Sequence, residues 1–261
     1  MKSIKNIFDF KNNYALVIGG SGYIGKEIVK SLAELNCTII VLDKVKPDIL
    51  DSKIKFYYFN IDKSKNYIKK FKSILSNNKK INLFVNASYP KTKNWPDCSF
   101  KKGLLKSYAD NFNLHLVSFV LLTKIFLDHM IKNKIKGNIV NLSSMYGIVA
   151  QNKELYKNTN IQESLPYPII KGGINMMTKQ FASFYGSYGI RVNAVCPGGT
   201  IDKNIKKNFS KIFVERYEKN VPLKRFAHPR EVAHGVIFLL SEASSYITGE
   251  NLKIDGGWTI I

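Results

Sequence analysis

Short apolar runs alternate with longer amphipathic stretches along most of this 261-residue chain. The apolar runs are rich in β-branched residues and predict buried strands at 14–18, 38–42, 54–59, 81–86, 138–142, 190–196 and 251–254. The stretches between them predict helices, for example at 24–35, 108–131, 169–186 and 229–241. This alternation is typical of an α/β fold with a doubly wound parallel sheet that is buried on both faces.

The length of the chain fits one domain that spans residues 1–261, because α/β folds of this size commonly form a single unit. Neither an internal repeat nor a linker interrupts the pattern. In doubly wound sheets, ligands bind beyond the carboxyl ends of the strands. The chemistry is therefore expected in the segments that follow the predicted strands.

The formal charge of +21 could attract nucleic acid or anionic lipid. Almost all of this charge comes from lysine, which is scattered through the chain together with asparagine, as a compositional bias of the source genome would produce. No basic run is interleaved with aromatic residues in the way that nucleic-acid modules require. We expect no nucleic-acid partner.

The N-terminal residues 1–13 alternate lysines with single apolar residues and lack the apolar stretch of a signal peptide. No later window approaches the roughly 20 uninterrupted apolar residues that a membrane-spanning helix needs. Cys37, Cys98 and Cys196 are odd in number and far apart, which argues against a disulfide framework or a metal site. We expect a soluble cytoplasmic protein that binds no metal and no membrane and whose thiols are buried or take part in no chemistry.

A glycine-rich loop, Gly-Gly-Ser-Gly-Tyr-Ile-Gly at 19–25, follows the first predicted strand and runs into an amphipathic helix. Its glycines permit a tight turn and a close backbone approach, so that the N–H groups and dipole at the helix N-terminus can hold a pyrophosphate. A plain strand-to-helix turn is the competing interpretation, and the flanking strand and helix favour the dinucleotide site. The candidate cofactor contacts here are Gly19, Ser21, Tyr23 and Ile24.

The second predicted strand leads into Asp43, about 20 residues past the loop, where an acid can accept hydrogen bonds from the adenosine ribose. A carboxylate there repels a 2′-phosphate, which predicts NAD rather than NADP as the cofactor. Lys44 follows immediately and could neutralise this charge. Asp62, after the third predicted strand, is a further candidate cofactor contact.

Two hydroxyls, Ser143 and Ser144, follow the fifth predicted strand, and the sequence Tyr-Pro-Ile-Ile-Lys opens a later helix at Tyr167. Tyr167 and Lys171 are four residues apart and fall on one helix face. The ammonium can then lie near the phenol and lower the phenol pKa from about 10 toward the working range. The phenol is a candidate general acid or base, and a packed aromatic beside a solvated lysine is the alternative interpretation.

These motifs, together with Asn-Ala-Ser at 86–88, Pro-Gly at 197–198 and Asp-Gly-Gly at 255–257, resemble those of the short-chain dehydrogenase/reductase family. The resemblance covers almost the whole chain in the correct order. It implies a Rossmann-like fold with a small substrate lid at about 199–222, and an enzyme that interconverts an alcohol and a ketone by hydride transfer with NAD(H).

The resemblance also implies roles for individual residues. Tyr167 would exchange a proton with the substrate oxygen, Lys171 would also bind the nicotinamide ribose, and Ser144 would hold the substrate oxygen. Ser144 is preferred to Ser143 because it stands at the family's Ser-x-x-Gly position before Gly147. Further cofactor contacts that the resemblance implies are Asn86, Ala87, Ser88, Pro197, Gly198 and Thr200.

The fourth catalytic position of the family is an Asn in the helix before the catalytic strand. An alignment without gaps, counted back from the end of that helix, places His115 in this position. Asn113 matches the family's local sequence pattern but lies two residues before it. Positions two apart on a helix do not share a face, so at most one of the two can serve. We favour His115 as the group that holds the proton-relay water near Lys171, and a packed core histidine is the alternative.

The spacing of the glycine loop looks like that of the family's extended branch and leaves two other functions open. One is a sugar epimerase or dehydratase that keeps NAD bound throughout turnover. The other is a non-catalytic Rossmann protein that binds nucleotides or nucleic acid. The intact Ser, Tyr and Lys motif argues against the second.

A polar insertion at 151–164 and a basic, aromatic segment at 89–95 flank the predicted site and suggest a polar small-molecule substrate. The sequences of these motifs are similar to those of family members in bacterial surface-sugar pathways, which suggests that the substrate is a sugar or an acidic sugar derivative. Lysines in the lid could recruit an anionic substrate or form a solvated helix face; they are Lys203, Lys206, Lys207 and Lys211. The apolar C-terminal run 254–261 resembles the family's subunit-contact segment and implies a homotetramer or homodimer.

Overall fold

The computed structural model describes residues 6–49, 51–62, 64–100, 103–159, 161–201 and 209–261. Seven strands form one parallel sheet in the order β3-β2-β1-β4-β5-β6-β7. They are β1 (Tyr14–Ile18), β2 (Thr38–Asp43), β3 (Ile54–Tyr58), β4 (Leu83–Asn86), β5 (Gly137–Leu142), β6 (Ile190–Pro197) and β7 (Asn251–Ile254). This arrangement confirms the predicted Rossmann-like, doubly wound α/β class.

Helices cover both faces of the sheet. The α-helices of the described residues are α1 (Gly25–Glu34), α2 (Asn66–Ser76), α3 (Leu105–Asn111), α4 (Ser118–Lys132), α5 (Pro166–Tyr185), α6 (Lys211–Asn220) and α7 (Pro229–Leu240). One hydrophobic cluster lies between the sheet and α2, α4 and α5, and a second lies between the sheet and α1 and α7. The central strands β1, β2 and β4 are almost continuously apolar because both of their faces are covered, whereas the edge strands β3 and β7 are partly exposed and each carries a lysine.

Strand β1 shows how the sequence achieves this double burial. Leu16 and Ile18 pack into the first cluster, whereas Ala15 and Val17 pack into the second. Since successive side chains of a strand point to opposite faces, every position of this run must be apolar. All four side chains are at most 1% exposed.

The helix predicted at 108–131 is interrupted by a π-helical turn, Phe112–Val117, between α3 and α4. The whole run Leu105–Lys132 is long and apolar enough to cross a membrane by length and composition. However, 56% of its most apolar window is buried in the fold, where Phe126 and Leu127 are completely enclosed. Packing against the sheet therefore accounts for its apolar character.

The chain turns from β1 toward β2 on one side and toward β4 on the other, so that a crevice opens where the strand order reverses. Such a switch point is where ligands bind in open α/β sheets. Of the lid predicted at 199–222, the structure describes residues 199–201 and 209–222, which include α6. Lys203, Lys206 and Lys207 lie outside the described residues.

Candidate active site

A cavity of about 710 Å³ occupies the crevice at the carboxyl ends of the strands. Its volume is within the range typical of small-molecule sites. One end is formed by the glycine loop and the end of β2, and the other by residues that follow β5 and by α5 and α6. The cavity therefore connects the predicted cofactor loop with the predicted catalytic residues.

The glycine loop packs too closely against its neighbours to carry larger side chains. Gly19 has a φ of +76°, and a Cβ on it would lie 2.7 Å from the carbonyl oxygen of Ala87. A Cβ on Gly25 would lie 2.0 Å from the carbonyl oxygen of Gly19. This close approach draws the loop against the N-terminus of α1, where the helix dipole favours an anion. Tyr23 and Ile24 line the cavity here, and the arrangement fits the pyrophosphate of a dinucleotide.

Asp43 lines the cavity at the end of β2 and ties the glycine loop to the following turn. Its carboxylate accepts hydrogen bonds from the backbone N–H of Ser21 at 2.9 Å and from that of Lys44 at 2.7 Å. Asp62 is placed differently, because its carboxylate accepts from the backbone N–H and the hydroxyl of Ser64, at 3.1 and 2.6 Å. The cavity wall near Asp62 is formed by Ile61 instead.

The predicted cofactor segments after β4 and β6 lie at the middle of the cavity. Asn86 is completely buried and accepts a hydrogen bond of 2.6 Å from the hydroxyl of Ser88. The residues of these segments that line the cavity are Ala87, Ser88, Pro197, Gly198 and Thr200. The Thr200 hydroxyl donates to the carbonyl of Gly198 at 3.0 Å, which fixes the turn that leads into the lid.

The structure brings Ser144, Tyr167 and Lys171 together. Ser144 follows β5 and hydrogen bonds the Tyr167 hydroxyl, while Tyr167 and Lys171 lie in the first turns of α5, which starts at Pro166. The Lys171 ammonium is 5.7 Å from the centre of the Tyr167 ring and donates to the carbonyl of Leu142 at 2.9 Å. The two elements that carry these groups pack against each other at the carboxyl edge of the sheet.

The neighbouring Ser143 has another contact. Its hydroxyl donates to the carbonyl of Lys171 at 3.0 Å, which holds the start of α5 against β5. The Ser144 hydroxyl also accepts from the backbone N–H of Tyr146 at 3.2 Å and caps the short 3-10 turn Met145–Gly147. Of the two serines, Ser144 thus has its oxygen directed toward the phenol.

Burial shifts both ionisable groups of the pair away from their ordinary behaviour. Desolvation raises the pKa of Tyr167, and the hydrogen bond from Ser144 offsets only part of that shift. Desolvation lowers the pKa of Lys171 to about 7. The phenol pKa is therefore higher than its ordinary value, not lower as predicted, because burial disfavours the charged forms of both groups.

His115 and Asn113 both lie in the π-helical turn Phe112–Val117 but differ in burial. His115 is completely buried, and its ring contacts those of Tyr89 and Phe119, with centroids 5.2 and 5.4 Å apart. Neither ring nitrogen has a hydrogen-bond partner among the described residues. Burial, with Lys171 nearby, lowers the pKa of His115, whereas Asn113 is exposed to solvent.

Tyr89 forms part of the wall beside the predicted catalytic residues. Its ring centroid is 5.8 Å from that of Tyr167 and also 5.8 Å from the Lys171 ammonium. Trp95 closes the same side, 6.4 Å from the Tyr167 ring. The exposed Lys91 lies over the Tyr89 ring, at 4.8 Å, and Tyr89 is itself 46% exposed, so this part of the 89–95 segment lies at the mouth of the cavity.

Sequence reasoning missed most of the substrate end of the cavity, which is mainly aromatic. Its additional lining residues are Met145, Tyr146, Tyr156, Phe209, Phe213, Tyr217 and Phe226. Among the described residues of the polar insertion 151–164, only Tyr156 lines the cavity, so the expected polar lining is not supplied; Lys153, Glu154 and Lys157 are exposed and Leu155 is buried. Only the position of Tyr146, two residues after Ser144, offered a signal in the sequence.

Helix α6, which lies in the predicted lid, is anchored by a stack of rings. Tyr217 lies between Phe226 and Trp258, with centroids 4.0 and 4.9 Å away and interplanar angles of 18° and 15°. Its hydroxyl accepts a hydrogen bond from the backbone N–H of Gly199. Arg216 donates to the carbonyl of Glu154 at 2.9 Å and so joins α6 to the insertion.

The chain is similar to known proteins over most of its length. A sequence profile for the family described as "Enoyl-(Acyl carrier protein) reductase" matches residues 21–259. The chain is 37% identical over 179 residues to "Post-translational flagellin modification protein A" of Campylobacter coli, covering 69% of this chain and 68% of that protein. It is 32% identical over 263 residues to the 7alpha-hydroxysteroid dehydrogenase of Paraclostridium sordellii, covering 96% and 93%.

Solved structures give the same result for the fold. A short chain dehydrogenase from Leptospira borgpetersenii with bound NAD+ superposes with a TM-score of 0.86 at 29% identity, covering 99% of this chain and 97% of that one. A putative 2-deoxy-d-gluconate 3-dehydrogenase from Agrobacterium tumefaciens with bound NADP shares the fold, with a TM-score of 0.83 at 19% identity, covering 98% and 100%. The profile match and the dehydrogenase relatives show an NAD(P)-dependent oxidoreductase that acts on a small molecule. The chain belongs to the short-chain dehydrogenase/reductase family.

Proposed function

We propose that this protein is an NAD(H)-dependent enzyme that interconverts an alcohol and a ketone, with Tyr167 as the general acid and base. The observation that supports it most is the meeting of the Tyr167 hydroxyl, Ser144 and Lys171 at one end of a cavity whose other end is the glycine cradle. Net formation of NADH from NAD+ and an alcohol tests the proposal. An NAD-retaining epimerase or dehydratase gives no net NADH.

Each of the three residues has a distinct task in this proposal. When bound, the nicotinamide supplies a carbon that accepts or returns a hydride. Tyr167 takes the proton of the alcohol oxygen as the ketone forms and gives it back in the reverse direction. Ser144 donates to the same oxygen and orients it, while the Lys171 ammonium, when charged, stabilises the phenolate form by its nearby positive charge.

The choice of NAD over NADP rests on Asp43. Replacing it with Asn removes the charge but keeps the shape, so we expect the preference for NAD over NADP in Kd to fall about tenfold or more, because a 2′-phosphate no longer meets a like charge. Fluorescence titration of both cofactors measures this ratio. Asp48→Asn, an exposed carboxylate on the same loop, serves as the control, and an unchanged ratio in Asp43→Asn contradicts the assignment.

His115 is proposed as the group that holds a proton-relay water near Lys171. Its neutral imidazole has one donor and one acceptor, and the described residues satisfy neither. We expect His115→Ala to lower kcat about tenfold to a hundredfold, whereas Asn113→Ala, which changes an exposed side chain, leaves it near the wild-type value. Steady-state kinetics of the two variants decides between them. The reverse result would place Asn113 in the relay.

The substrate is proposed to be an oxygen-rich ring compound such as a sugar. One relative is named a flagellin modification protein, and tyrosine hydroxyls interrupt the aromatic wall of the cavity. An acidic sugar derivative belongs to the same proposal, because Lys171 lines the substrate end of the cavity and the exposed Lys91 lies over the neighbouring Tyr89 ring. The exposed apolar side chains of Ile260 and Ile261 support the further proposal of a homotetramer or homodimer.

A further inference from the structure

A chain of hydrogen bonds runs from the insertion into the wall of the cavity. The backbone N–H of Ser164 donates to Oε1 of Gln151 at 3.2 Å. Nε2 of Gln151 donates to the hydroxyl oxygen of Tyr156 at 3.1 Å. The Tyr156 hydroxyl donates to that of Tyr146 at 3.4 Å, and Tyr146 lines the cavity.

The direction of this chain is fixed at its outer end. A backbone N–H can only donate, so the Ser164 contact turns the carbonyl of Gln151 toward itself and the amide NH2 toward Tyr156. Tyr156 accepts from Gln151 and donates its own hydrogen to the oxygen of Tyr146. The hydrogen of Tyr146 remains, and within the described ranges no side chain or carbonyl accepts it.

The surroundings keep the Tyr146 hydroxyl protonated and strengthen a hydrogen bond that it donates. Tyr146 is largely buried, and burial raises its pKa, so the hydroxyl stays protonated. The walls beside it are apolar, since Met145 is buried and the rings of Tyr156 and Phe213 lie 5.8 Å apart. A hydrogen bond made in such an environment is stronger than one in water.

The position of Tyr146 relative to Tyr167 indicates which group accepts the hydrogen bond from Tyr146. The two ring centroids are 6.5 Å apart, and both side chains line the same cavity, so one small molecule can contact both. Tyr167 is engaged with Ser144 and with the oxygen that changes oxidation state. The hydroxyl of Tyr217, which also lines the cavity, accepts a hydrogen bond from the backbone N–H of Gly199.

We propose that Tyr146 donates a hydrogen bond to a second substrate oxygen, on the carbon next to the one that is oxidised or reduced. Resting on the proposed alcohol–ketone chemistry, this makes the substrate class a vicinal diol, or its α-hydroxyketone product, rather than an isolated alcohol. Gln151 and Tyr156 act as positioning residues, because they aim the Tyr146 hydrogen without touching the substrate.

The test compares cyclohexane-1,2-diol with cyclohexanol, which share a ring and differ by one hydroxyl. For the wild type with NAD+, we expect kcat/KM to be about tenfold to a hundredfold higher for the diol, the range for one buried hydrogen bond. Tyr146→Phe should bring the ratio of the two kcat/KM values close to one. Gln151→Leu, which keeps the Tyr146 hydroxyl but releases its direction, should lower the ratio partway, and the fully exposed Tyr246→Phe should leave it unchanged.

A ratio near one in the wild type, or a ratio that survives in Tyr146→Phe, overturns the inference. Tyr167→Phe separates this inference from the proposed function. If Tyr167→Phe loses turnover of both compounds, but Tyr146→Phe leaves the ratio of the two kcat/KM values unchanged, only the diol inference fails. Calorimetric titration of the enzyme and NAD+ with the same two compounds gives a readout without turnover. Preferential binding of the diol that Tyr146→Phe abolishes supports the inference, and equal affinities in the wild type contradict it.

Discussion

Replacing Tyr167 with Phe is expected to lower kcat by about 10²–10⁴-fold, the usual contribution of a positioned general acid or base. The change removes only the hydroxyl that bonds Ser144. The ring contacts with Tyr89 and Trp95, at centroid distances of 5.8 and 6.4 Å, can remain. Cofactor affinity should therefore stay close to the wild-type value while turnover, followed by NADH absorbance, is lost.

The matched control for this variant is Tyr246→Phe, which deletes a fully exposed hydroxyl. Its turnover and thermal stability should equal those of the wild type. If Tyr167→Phe keeps turnover within about threefold of the wild type, the general acid and base is another group, since a factor that small is below the usual contribution of such a residue.

The raised pKa of Tyr167 gives this variant series a pH signature. Because burial holds the phenol in its protonated form at neutral pH, it is ready to donate a proton to a ketone there. Alcohol oxidation needs the phenolate, so kcat for oxidation should increase as pH rises from about 7 to about 10. Reduction should stay level and then fall over the same range. Steady-state rates in both directions measure the two profiles.

Replacing Lys171 with Met is expected to abolish activity and yet stabilise the fold. The lysine is only 4% exposed, and desolvation lowers its pKa to about 7. In the unfolded chain its pKa is about 10.4. The unfolded state thus holds a proton that the folded state has released between these values, so stability rises with pH across that window and the lysine is destabilising below it.

Methionine fills a similar volume without a charge, so Lys171→Met should raise the free energy of unfolding by about 1–3 kcal/mol near pH 6.5. This figure allows for the lost hydrogen bond to Leu142. The gain should shrink as pH approaches 10. Urea unfolding at both pH values measures it. Lys179→Met, an exposed lysine on the same helix, is the control, and a loss of stability in Lys171→Met relative to Lys179→Met contradicts the prediction.

The order of strands and helices could be predicted from the sequence because burial on both faces of a sheet constrains each strand locally. A strand such as 14–18 must be apolar at every position, whereas in a helix that covers one face of the sheet the apolar residues recur every three to four positions. The placement of Ser144, Tyr167 and Lys171 at one edge followed from the same logic. Parallel strands end at a common edge, and two residues four apart on a helix share a face.

Tertiary structure decided the features that depend on distant neighbours. The π-helical turn that buries His115 and exposes Asn113 is invisible to a 3.6-residue period, because the extra residue in the turn is set by packing against α5 and the sheet. The pKa directions of Tyr167 and Lys171 depend on how much water the assembled walls exclude, which spacing along the helix does not report.

The polar insertion shows the same division most clearly. Its composition suggested a polar lining, but side-chain direction, not composition, determines what a cavity contains. Folding left Lys153 and Glu154 exposed and placed Tyr156 in the wall of the cavity. The sequence by itself therefore determined the architecture, the catalytic edge and the residue types of the site, since these follow from local periodicity and short motifs. Only the tertiary structure determined the lining, the protonation states and the hydrogen-bonded chain to Tyr146, because each arises from contacts between segments far apart along the chain.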